Sequence, residues 1–489
     1  MKNSIKTTIL SFILLVCIVG VSCSSCNADV VGSTNSSSST ITGTYSYFIE
    51  GWITDDEARA TVVPSADQMP ATYDAADFVY EPSGYTQVEI DLSDLGNSYA
   101  NGDITVEAKA KKTTITLGNS AKYNIVLSGA SEVGITVDKS SGATSNTENG
   151  DFYVMNAALL ATNGANVTIS SATVTSSAQN GNGVFSYGNG TVVTISDSTI
   201  VTTKDNSGGI QTTGGGTTYA TNLEVETSGN SSAAIRSDRG GGTVVVNDGS
   251  YTSNGYNSPA IYSTADIAVS NAILVANSSE ALVIEGKNSI ALVDCVVFGN
   301  MSDTNGTSLD ENVHNVMIYQ SMSGDTAVGT SSFSMEGGSL TSNNGDMLYI
   351  TNTACTITLS NATLVSNDDD SYLFNITGNS ASHGWGSAGS NGSQAMVTCS
   401  NQILEGDIRV DSISTLALVL EEGSSFTGTI NVVPNTEGGT AVQGNAIVTV
   451  EAGCIWTLTG DCTITSLDCN GVLNLNGYTI TLADGTVLS

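Results

Sequence analysis

The chain has 489 residues, of which 13 are basic and 47 acidic, so its formal net charge is −34. Such an acidic surface excludes nucleic acid, anionic membranes and acidic polysaccharides as partners held by bulk electrostatic attraction. The 52 glycines, the 5 prolines and the 12% of charged residues suit β-strands that are buried on one side and lined by Ser and Thr on the other.

Residues 1–28 predict export. Two lysines precede the apolar run 9–21, which is too short to span a membrane and has the length of a signal-peptide core. Cleavage before Cys23 would leave an acylated cysteine and a lipoprotein anchored to the bacterial envelope, whereas cleavage after Ala28 would give a secreted protein. The lipoprotein signal is favoured, although Gly20 stands where an aliphatic residue is usual. We expect a secreted or cell-surface protein that meets a membrane only through a lipid on Cys23.

Three regions follow the signal. Residues 29–45 are rich in Ser and Thr and predict a flexible tether. Residues 46–110 are richer in aromatic and acidic side chains, and we expect them to cap the repeats that follow, because a stack of coils must cover its open apolar end. Residues 111–489 predict a parallel β-helix with loops inserted near 300–315 and 379–395.

Between about residue 155 and residue 377 the sequence repeats every 23 to 26 residues. In each repeat an apolar strand ends in a polar residue, which we call the marker, and a small residue and a second β-prone run follow. The markers are Ser171, Asp197, Asn222, Asp248, Asn271, Asp294, Glu336 and Asn361. Their intervals of 26, 25, 26, 23, 23, 42 and 25 residues fit one repeat per coil, with an insertion in the longest. Short strands and Gly/Asn turns without a helical stretch predict an all-β fold, a right-handed parallel β-helix.

Each coil also has a short apolar strand upstream of its marker. These strands centre on Val184, Ile210, Ile235, Ile261, Ile284, Ile318, Leu348 and Leu373. The residue after the marker is small in every coil except at Leu223, as a tight inward corner stacked coil on coil would require. Cys295 occupies such a position, so we interpret it as a small buried residue and not as a ligand or nucleophile. The Asp and Asn markers are expected to hydrogen-bond the backbone of their turns.

The other cysteines and the acidic runs indicate no metal site. Cys454, Cys462 and Cys469 cluster near the end of the chain, where a disulfide between two of them would staple the last coil, and their spacing does not say which two. The runs 55–57 and 368–370 are the dense acidic segments, and neither has the spaced ligands of a calcium loop. No cofactor is predicted, although calcium binding between coils is an alternative left open. The negative net charge is interpreted as a property that keeps an exported protein soluble.

The C-terminal third of the chain carries a resemblance to a known family. The segments DMLYITNTACTITLSNATL, HGWGSAGSNGS, NQILEGDIRVDSISTLALVLEEGSSFTGTIN and WTLTGDCTITSLDCNGVLNLNGYTI resemble parts of exported bacterial β-helix proteins that are described as adhesin-like. The resemblance covers roughly residues 110–489. It implies the β-helix fold and a surface location and favours adhesion, but it transfers no functional residues, because that family has no established active site.

We therefore predict a monomeric, non-catalytic surface protein that binds glycans or proteins of a host or neighbouring cell through many weak contacts along a polar face. Trp385 and His383 lie in the longest loop, where an exposed Trp would offer a platform for sugar stacking. The alternative is a Trp that packs on the coil and pins the loop. The tyrosines that add aromatic surface, or pack within strands, are Tyr187, Tyr219, Tyr256 and Tyr262.

A polysaccharide-degrading enzyme and a structural envelope protein are the alternatives. A lyase of this fold would need a cationic base, but Arg236 and Arg239 flank Asp238 in a turn and are interpreted as a solvated ion-pair cluster. The pair 369–370 and the later Ser-His-Gly around His383 faintly resemble polygalacturonase-like elements. The remaining elements of that motif are missing, and paired carboxylates alone are a weak signal of glycoside hydrolysis.

Overall fold

The structure is a computed structural model. It describes residues 172–303, 313–321, 326–378 and 389–489 continuously and, before residue 171, nine separate strands between residues 42 and 170. These residues form strands, turns and loops, and no helix occurs among them. Long sheets of parallel strands stack in coil order, so the predicted parallel β-helix is confirmed.

The strands fall into three groups along the chain. The N-terminal strands are β1 (Thr42–Trp52), β2 (Phe78–Asp91), β3 (Tyr99–Asn101), β4 (Ile104–Lys109), β5 (Lys112–Leu117), β6 (Tyr123–Ser128) and β7 (Gly134–Lys139). The strands of the repeat region are β8 (Ala157–Ala161), β9 (Asn166–Ser170), β10 (Thr173–Ser176), β11 (Asn182–Tyr187), β12 (Val192–Thr202), β13 (Ile210–Thr213), β14 (Gly216–Thr227), β15 (Ile235–Ser237), β16 (Gly242–Ser253), β17 (Ile261–Ser263), β18 (Asp266–Ala276), β19 (Leu282–Glu285), β20 (Ser289–Val293), β21 (Val296–Gly299), β22 (His314–Tyr319), β23 (Thr330–Glu336), β24 (Ser339–Ser342), β25 (Asp346–Thr351), β26 (Ala354–Ser360), β27 (Thr363–Ser366) and β28 (Tyr372–Thr377). The C-terminal strands are β29 (Gln394–Ser400), β30 (Ile403–Glu405), β31 (Asp407–Asp411), β32 (Thr415–Glu421), β33 (Ser425–Thr427), β34 (Ile430–Val433), β35 (Ala446–Val450), β36 (Ile455–Thr457), β37 (Cys462–Ile464), β38 (Ser466–Cys469), β39 (Val472–Asn474), β40 (Ile480–Leu482) and β41 (Val487–Leu488).

The coils have three faces. Face 1 comprises β9, the first halves of β12, β14, β16 and β18, and then β20, β23, β26, β29, β32, β35 and β38. Face 2 comprises β7, β10, the second halves of the same four strands, and β21, β24 and β27, after which β30, β33, β36 and β39 form a four-stranded sheet. Face 3 is a 14-stranded sheet that runs from β8 to β41. Each strand pairs with its copy in the neighbouring coil.

Antiparallel pairs lie towards the two ends of the described chain. β1 pairs with β2, and β3, β4 and β5 form an antiparallel meander. β5 then pairs in parallel with β7, and the parallel stacking continues until β41 folds back on β40. An antiparallel strand changes the direction of the chain at the end of the stack, where a solenoid needs a different structure from its interior coils.

Seven of the eight predicted markers form the corner between face 1 and face 2, and Ser171 lies outside the described residues. Six of them have left-handed backbone, with φ between 48° and 66°: Asp197, Asn222, Asp248, Asn271, Asp294 and Asn361. Asn and Asp adopt this region more readily than other side chains, which explains their recurrence. At Glu336 the following glycines 337 and 338 have positive φ instead. Asn401 and Glu422, with φ of 50° and 52°, continue the corner beyond the predicted markers.

The residue after the marker points into the core, as predicted. Ser198, Leu223, Gly249 and Ala272 follow one another in register on successive coils. A Cβ on Gly249 would lie 2.3 Å from the carbonyl oxygen of Leu223, so the backbone of the preceding coil leaves no room for a side chain there. Cys295 is fully buried at the same position, which confirms its interpretation as a small core residue.

The eight upstream residues are all buried, but they depart from a single register in two places. Ile261 pairs with Leu282, and Leu282 pairs with Val316, so Ile284 and Ile318 form a second column two residues further on. Leu373 is displaced by an irregularity in β28, and Phe374 takes the stacking position. Each fully buried apolar side chain contributes about 1.5–3 kcal/mol by leaving water, and the column repeats this in every coil.

The 42-residue interval is a single coil with an insertion, as predicted. β20 pairs directly with β23, and β19 pairs directly with β22. The strands stop at Gly299 and resume at His314. They stop again at Thr377 and resume at Gln394. Both interruptions leave the stacking of the neighbouring coils intact.

Candidate functional site

The residues predicted from sequence to bind or to be modified fall outside the part of the chain that the structure describes. Trp385 and His383 lie in the segment 379–388, and Cys23 lies before the first described strand. The acidic run 55–57 is also outside it. These assignments stay predictions, and the described residues offer two other surfaces of interest.

The first surface includes the Arg236–Arg239 turn. Arg236 Nε lies 2.7 Å from Asp238 Oδ2, which confirms an ion pair. The prediction that the cluster is solvated is wrong, because Arg236, Asp238 and Arg239 are 7%, 4% and 7% exposed. Gln211 Nε2 also donates a hydrogen bond to Asp238, at 3.0 Å.

This cluster belongs to the outer side of face 3, meaning the side chains of β11 to β28 that alternate with the core residues. One outer column follows strict register through Phe185, Gln211, Arg236, Tyr262, Val283, Met317, Tyr349 and Asn375. All of these side chains are buried except Tyr262, which is half-buried. The outer side of face 3 is therefore a second buried layer, and it is richer in polar groups than the core.

Glu285 is the centre of a hydroxyl network in this layer. Its carboxylate accepts hydrogen bonds from Tyr262 at 2.5 Å, from Tyr319 at 3.0 Å and from Ser321. Burial raises the pKa of the Tyr262 hydroxyl well above its ordinary value, and the charge of Glu285 raises it further. Tyr262 therefore remains a neutral donor, and Glu285 is held by groups that favour its charged form.

Two further buried carboxylates on face 3 strands also accept several hydrogen bonds. Asp346 accepts from the backbone N–H of Tyr372 at 2.9 Å and from Asn375 Nδ2 at 2.7 Å. Asp411 accepts from the N–H of Gly378 at 2.8 Å and from Asn435 Nδ2 at 2.6 Å. A buried carboxylate with several donors links neighbouring coils and is poorly suited to exchange protons with a substrate.

The alternation of polar and apolar residues in the face 3 strands partly indicates this layer. In the strands IQTT, IRS and LVIE the polar residues Gln211, Arg236 and Glu285 occupy positions that alternate with core isoleucines and leucines. Alternation predicts that these side chains leave the core. It does not predict that they are buried on the other side of the sheet.

The second surface is the outer side of face 1, and it is open to solvent. Its central columns lie in register over ten coils, and none of their members is buried. One column consists of Thr194, Tyr219, Val245, Ala268, Ala291, Ser334, Thr358, Thr398, Val419 and Thr449. The other consists of Val192, Thr217, Thr243, Asp266, Ser289, Ser332, Thr356, Met396, Ala417 and Ile447.

These two columns are almost free of charge. Asp266 is the single ionisable acid or base among the twenty positions apart from the phenol of Tyr219, although the whole chain carries −34. Strands of a sheet lie about 4.8 Å apart, so ten coils span about 43 Å. The two central columns of face 1 thus form a long surface made mostly of hydroxyl and methyl groups. Tyr219 is 47% exposed within it, whereas Tyr187 is buried and Tyr256 half-buried.

The corners carry side-chain ladders that border this surface. Asn222 Nδ2 donates to Asp197 Oδ1 at 2.8 Å, and Asn271 Nδ2 donates to Asn247 Oδ1 at 3.0 Å. The predicted bond from a marker side chain to turn backbone occurs at Asp248, whose Oδ1 accepts from the N–H of Gly249. Marker side chains therefore also join coil to coil.

The described cysteines are free thiols, and most of them are buried. Cys454, Cys462 and Cys469 are free, so the structure contains no disulfide among them. Burial raises the pKa of Cys355 and of Cys399 to about 12 and that of Cys462 to about 11. At neutral pH these groups are protonated and are not nucleophiles.

The described residues hold no group of three or more His, Cys, Asp or Glu side chains arranged for a metal ion. In the run 368–370, Asp368 accepts hydrogen bonds from the backbone N–H groups of Gly345 and Asp370. No helix long and apolar enough to cross a membrane occurs in the described part of the chain. Comparisons with family models, with curated proteins and with solved structures found no match for this chain.

Proposed function

We propose that the chain is an exported surface protein that binds neutral glycan chains without covalent chemistry, and that the outer side of face 1 is its binding surface. The observation that supports this most is the pair of solvent-accessible, nearly uncharged columns in register over ten coils. Hydroxyl groups hydrogen-bond sugar hydroxyls, and methyl groups and Tyr219 contact the apolar faces of sugar rings. Many weak contacts along one ligand chain add up by multivalency.

A neutral ligand fits this surface better than a charged one. An acidic polysaccharide is repelled by the net charge, and a basic ligand finds only Asp266 to pair with in the two central columns. A non-catalytic role agrees with the buried carboxylates of face 3, because Asp238, Glu285, Asp346 and Asp411 are each engaged by hydrogen-bond donors. The lipid anchor on Cys23 would hold this surface at the cell envelope.

The test is binding of the purified protein to a panel of insoluble and immobilised neutral polysaccharides. The test variant is Ala268→Arg with Thr358→Arg, two exposed positions in one column of face 1. The matched control is Thr173→Arg with Thr363→Arg, two exposed strand positions of face 2 that add the same charge. We expect the first variant to lose at least about tenfold in affinity and the control to bind like the parent protein.

Equal binding by both variants would show that the ligand does not bind face 1. Retention on immobilised surface proteins, with no polysaccharide bound, would replace the glycan by a protein partner. Release of reducing ends or of unsaturated products from the panel would contradict a non-catalytic role and favour the polysaccharide-degrading alternative.

A further inference from the structure

A discrete apolar patch lies at the corner at Asp294, with four of its side chains on face 2 and one, Val293, at the end of the face 1 strand β20. The patch is formed by exposed or half-buried side chains of two adjacent coils: Ile273, Val275, Val293, Val296 and Phe298. Ile273, Val293 and Val296 are 48%, 42% and 50% exposed. Ile273 pairs with Val296, and Val275 pairs with Phe298, so four of the side chains stand side by side.

The neighbouring coils are polar at the same positions. Ser250 and Thr252 precede the patch in its two columns, and Ser339 and Thr341 follow it. Strand propensity alone does not require apolar groups here, because these coils build the same strands with Ser and Thr. A contiguous exposed apolar patch that is bordered by polar positions in the neighbouring coils is typical of an interaction site.

The surroundings of the patch are acidic. Glu224 and Glu226 lie in its two columns, two coils before it and therefore about 10 Å away. The exposed Asp294 stands at its corner, and the exposed Glu336 follows Val293 in register. From β10 to β39, the described strands of face 2 contain no Lys or Arg.

We propose that this apolar patch binds a cationic polypeptide segment that presents apolar side chains, independently of the glycan surface on face 1. The apolar side chains of the partner would cover Ile273 and Val296, and its Lys or Arg side chains would face Glu224, Glu226, Asp294 and Glu336. Opposite charges speed the encounter and select the partner, and burial of apolar surface holds it. A second copy of this chain fits poorly, because it would bring an equally acidic rim against this one.

The experiment measures fluorescence anisotropy of a labelled amphipathic peptide of Lys and Leu. Comparison peptides replace Lys by Glu, or Leu by Ser. The test variant is Ile273→Thr with Val296→Thr, which keeps both positions β-branched and so preserves their strand preference. Ile403→Thr is the matched control, because Ile403 is 65% exposed on face 2 but lies outside the patch.

We expect the Lys/Leu peptide to bind the parent protein and the Ile403→Thr variant alike. Its affinity should fall at least about tenfold in Ile273→Thr/Val296→Thr. It should also weaken with added salt, and less steeply in Glu224→Gln/Glu226→Gln. Equal binding of the Glu/Leu peptide, or no loss in the Ile273→Thr/Val296→Thr variant, would overturn the proposal.

Sedimentation velocity tests whether the patch instead binds a second copy of this chain. A parent protein that dimerises, while Ile273→Thr/Val296→Thr stays monomeric, would assign the patch to self-association and would also overturn the cationic partner. Circular dichroism of each variant checks that the coils are intact. Because these substitutions leave face 1 unchanged, failure of this proposal is distinguishable from failure of glycan binding.

Discussion

The outer sides of face 3 and face 1 come from the same coils and the same parallel register, but one is buried and the other is in contact with solvent. On face 3 the outer side chains are buried, and the charged and polar members bond to one another across coils, as in the Glu285 network. On face 1 the side chains of the two central outer columns are half-buried or exposed, and Asp266 is the single carboxylate among them. A buried polar group requires a partner, whereas an exposed one exchanges its bonds with water at little cost. The comparison separates a layer that stabilises the solenoid from a surface that is available to a ligand.

Among the substitutions considered, Asp238→Ala on face 3 is expected to cause the largest loss of stability. This change removes the ion-pair partner of Arg236 inside a buried layer, so the free energy of unfolding should fall by about 3–5 kcal/mol. Urea denaturation measures it. Glu224→Ala, at an exposed position of face 2, is the control and should stay within about 0.5 kcal/mol of the parent.

A double substitution that replaces both members of the ion pair separates the cost of an unpaired buried charge from the contribution of the pair itself. Arg236→Met with Asp238→Leu removes both charges and fills similar volume, so it should recover much of the stability lost in Asp238→Ala. If Asp238→Ala itself costs less than about 1 kcal/mol, the ion pair behaves like a solvated surface pair and face 3 does not differ from face 1 in this respect.

The next effect concerns Tyr262→Phe, which removes a hydroxyl that bonds the Glu285 carboxylate. A hydrogen bond to a charged group contributes about 1.5–3 kcal/mol, so the variant should lose that much at neutral pH. The folded-state pKa of Tyr262 is raised, and Glu285, Tyr319 and Asp238 are the charged or titratable groups that raise it besides burial. Its contribution is thus complete below the ordinary pKa of about 10 and is lost as pH rises towards the folded-state pKa.

The stability of the parent protein should accordingly fall more steeply above about pH 10 than that of Tyr262→Phe, as measured by melting temperature across the alkaline range. Some loss should remain in the variant, because burial also raises the pKa values of Tyr187 and Tyr251. Identical alkaline profiles would show that Tyr262 ionises without opposition from the buried layer.

A smaller effect is expected at the corner that divides face 1 from face 2. Asn222 has a φ of 50°, and a β-branched side chain there costs about 1–2 kcal/mol. Asn222→Val should therefore lower the free energy of unfolding by that amount. Thr221→Val, one residue earlier in regular strand, should be nearly neutral. Equal effects of the two substitutions would show that the corner does not select Asn and Asp through its backbone.

The coil is predictable from the sequence because each coil repeats the same physical requirements. Left-handed corners select Asx residues, as at Asn222, and a corner directed into the core selects small residues, as at Ala272. These are local constraints, so they are visible in a single sequence. The continuation of the corner at Glu422 is not among the predicted markers, because Glu is an uncommon residue for a left-handed backbone.

The site is less predictable for a different reason. The strand pattern determines which side chains point outwards, and Arg236 and Glu285 occupy outward positions in it. Whether an outward side chain is solvated depends on what else packs against the sheet, which no local pattern contains. The sequence therefore predicts a solvated Arg236, although this side chain is 7% exposed. The aromatic loop around Trp385 stands out by composition, whereas the uncharged columns of face 1 become visible only when coils are aligned in space.

The smallest effect on stability, and the sharpest test of the contrast, is expected from Thr358→Val on face 1. Thr358 is exposed and stands between Ser334 and Thr398 in its column, so the substitution preserves shape and strand preference and removes one solvated hydroxyl. The free energy of unfolding should change by less than about 0.5 kcal/mol. In contrast, Thr202→Val removes a buried hydroxyl that donates to the carbonyl of Ser207, and it should cost about 1–3 kcal/mol. Urea denaturation of the two variants measures their stabilities, and the polysaccharide panel measures their binding.

If face 1 recognises sugars through its hydroxyl column, Thr358→Val weakens binding while its stability is unchanged. Thr202→Val should lose stability and keep its binding. A Thr358→Val variant that is destabilised as much as Thr202→Val would make face 1 a structural layer like face 3 and remove the reason for treating it as a binding surface.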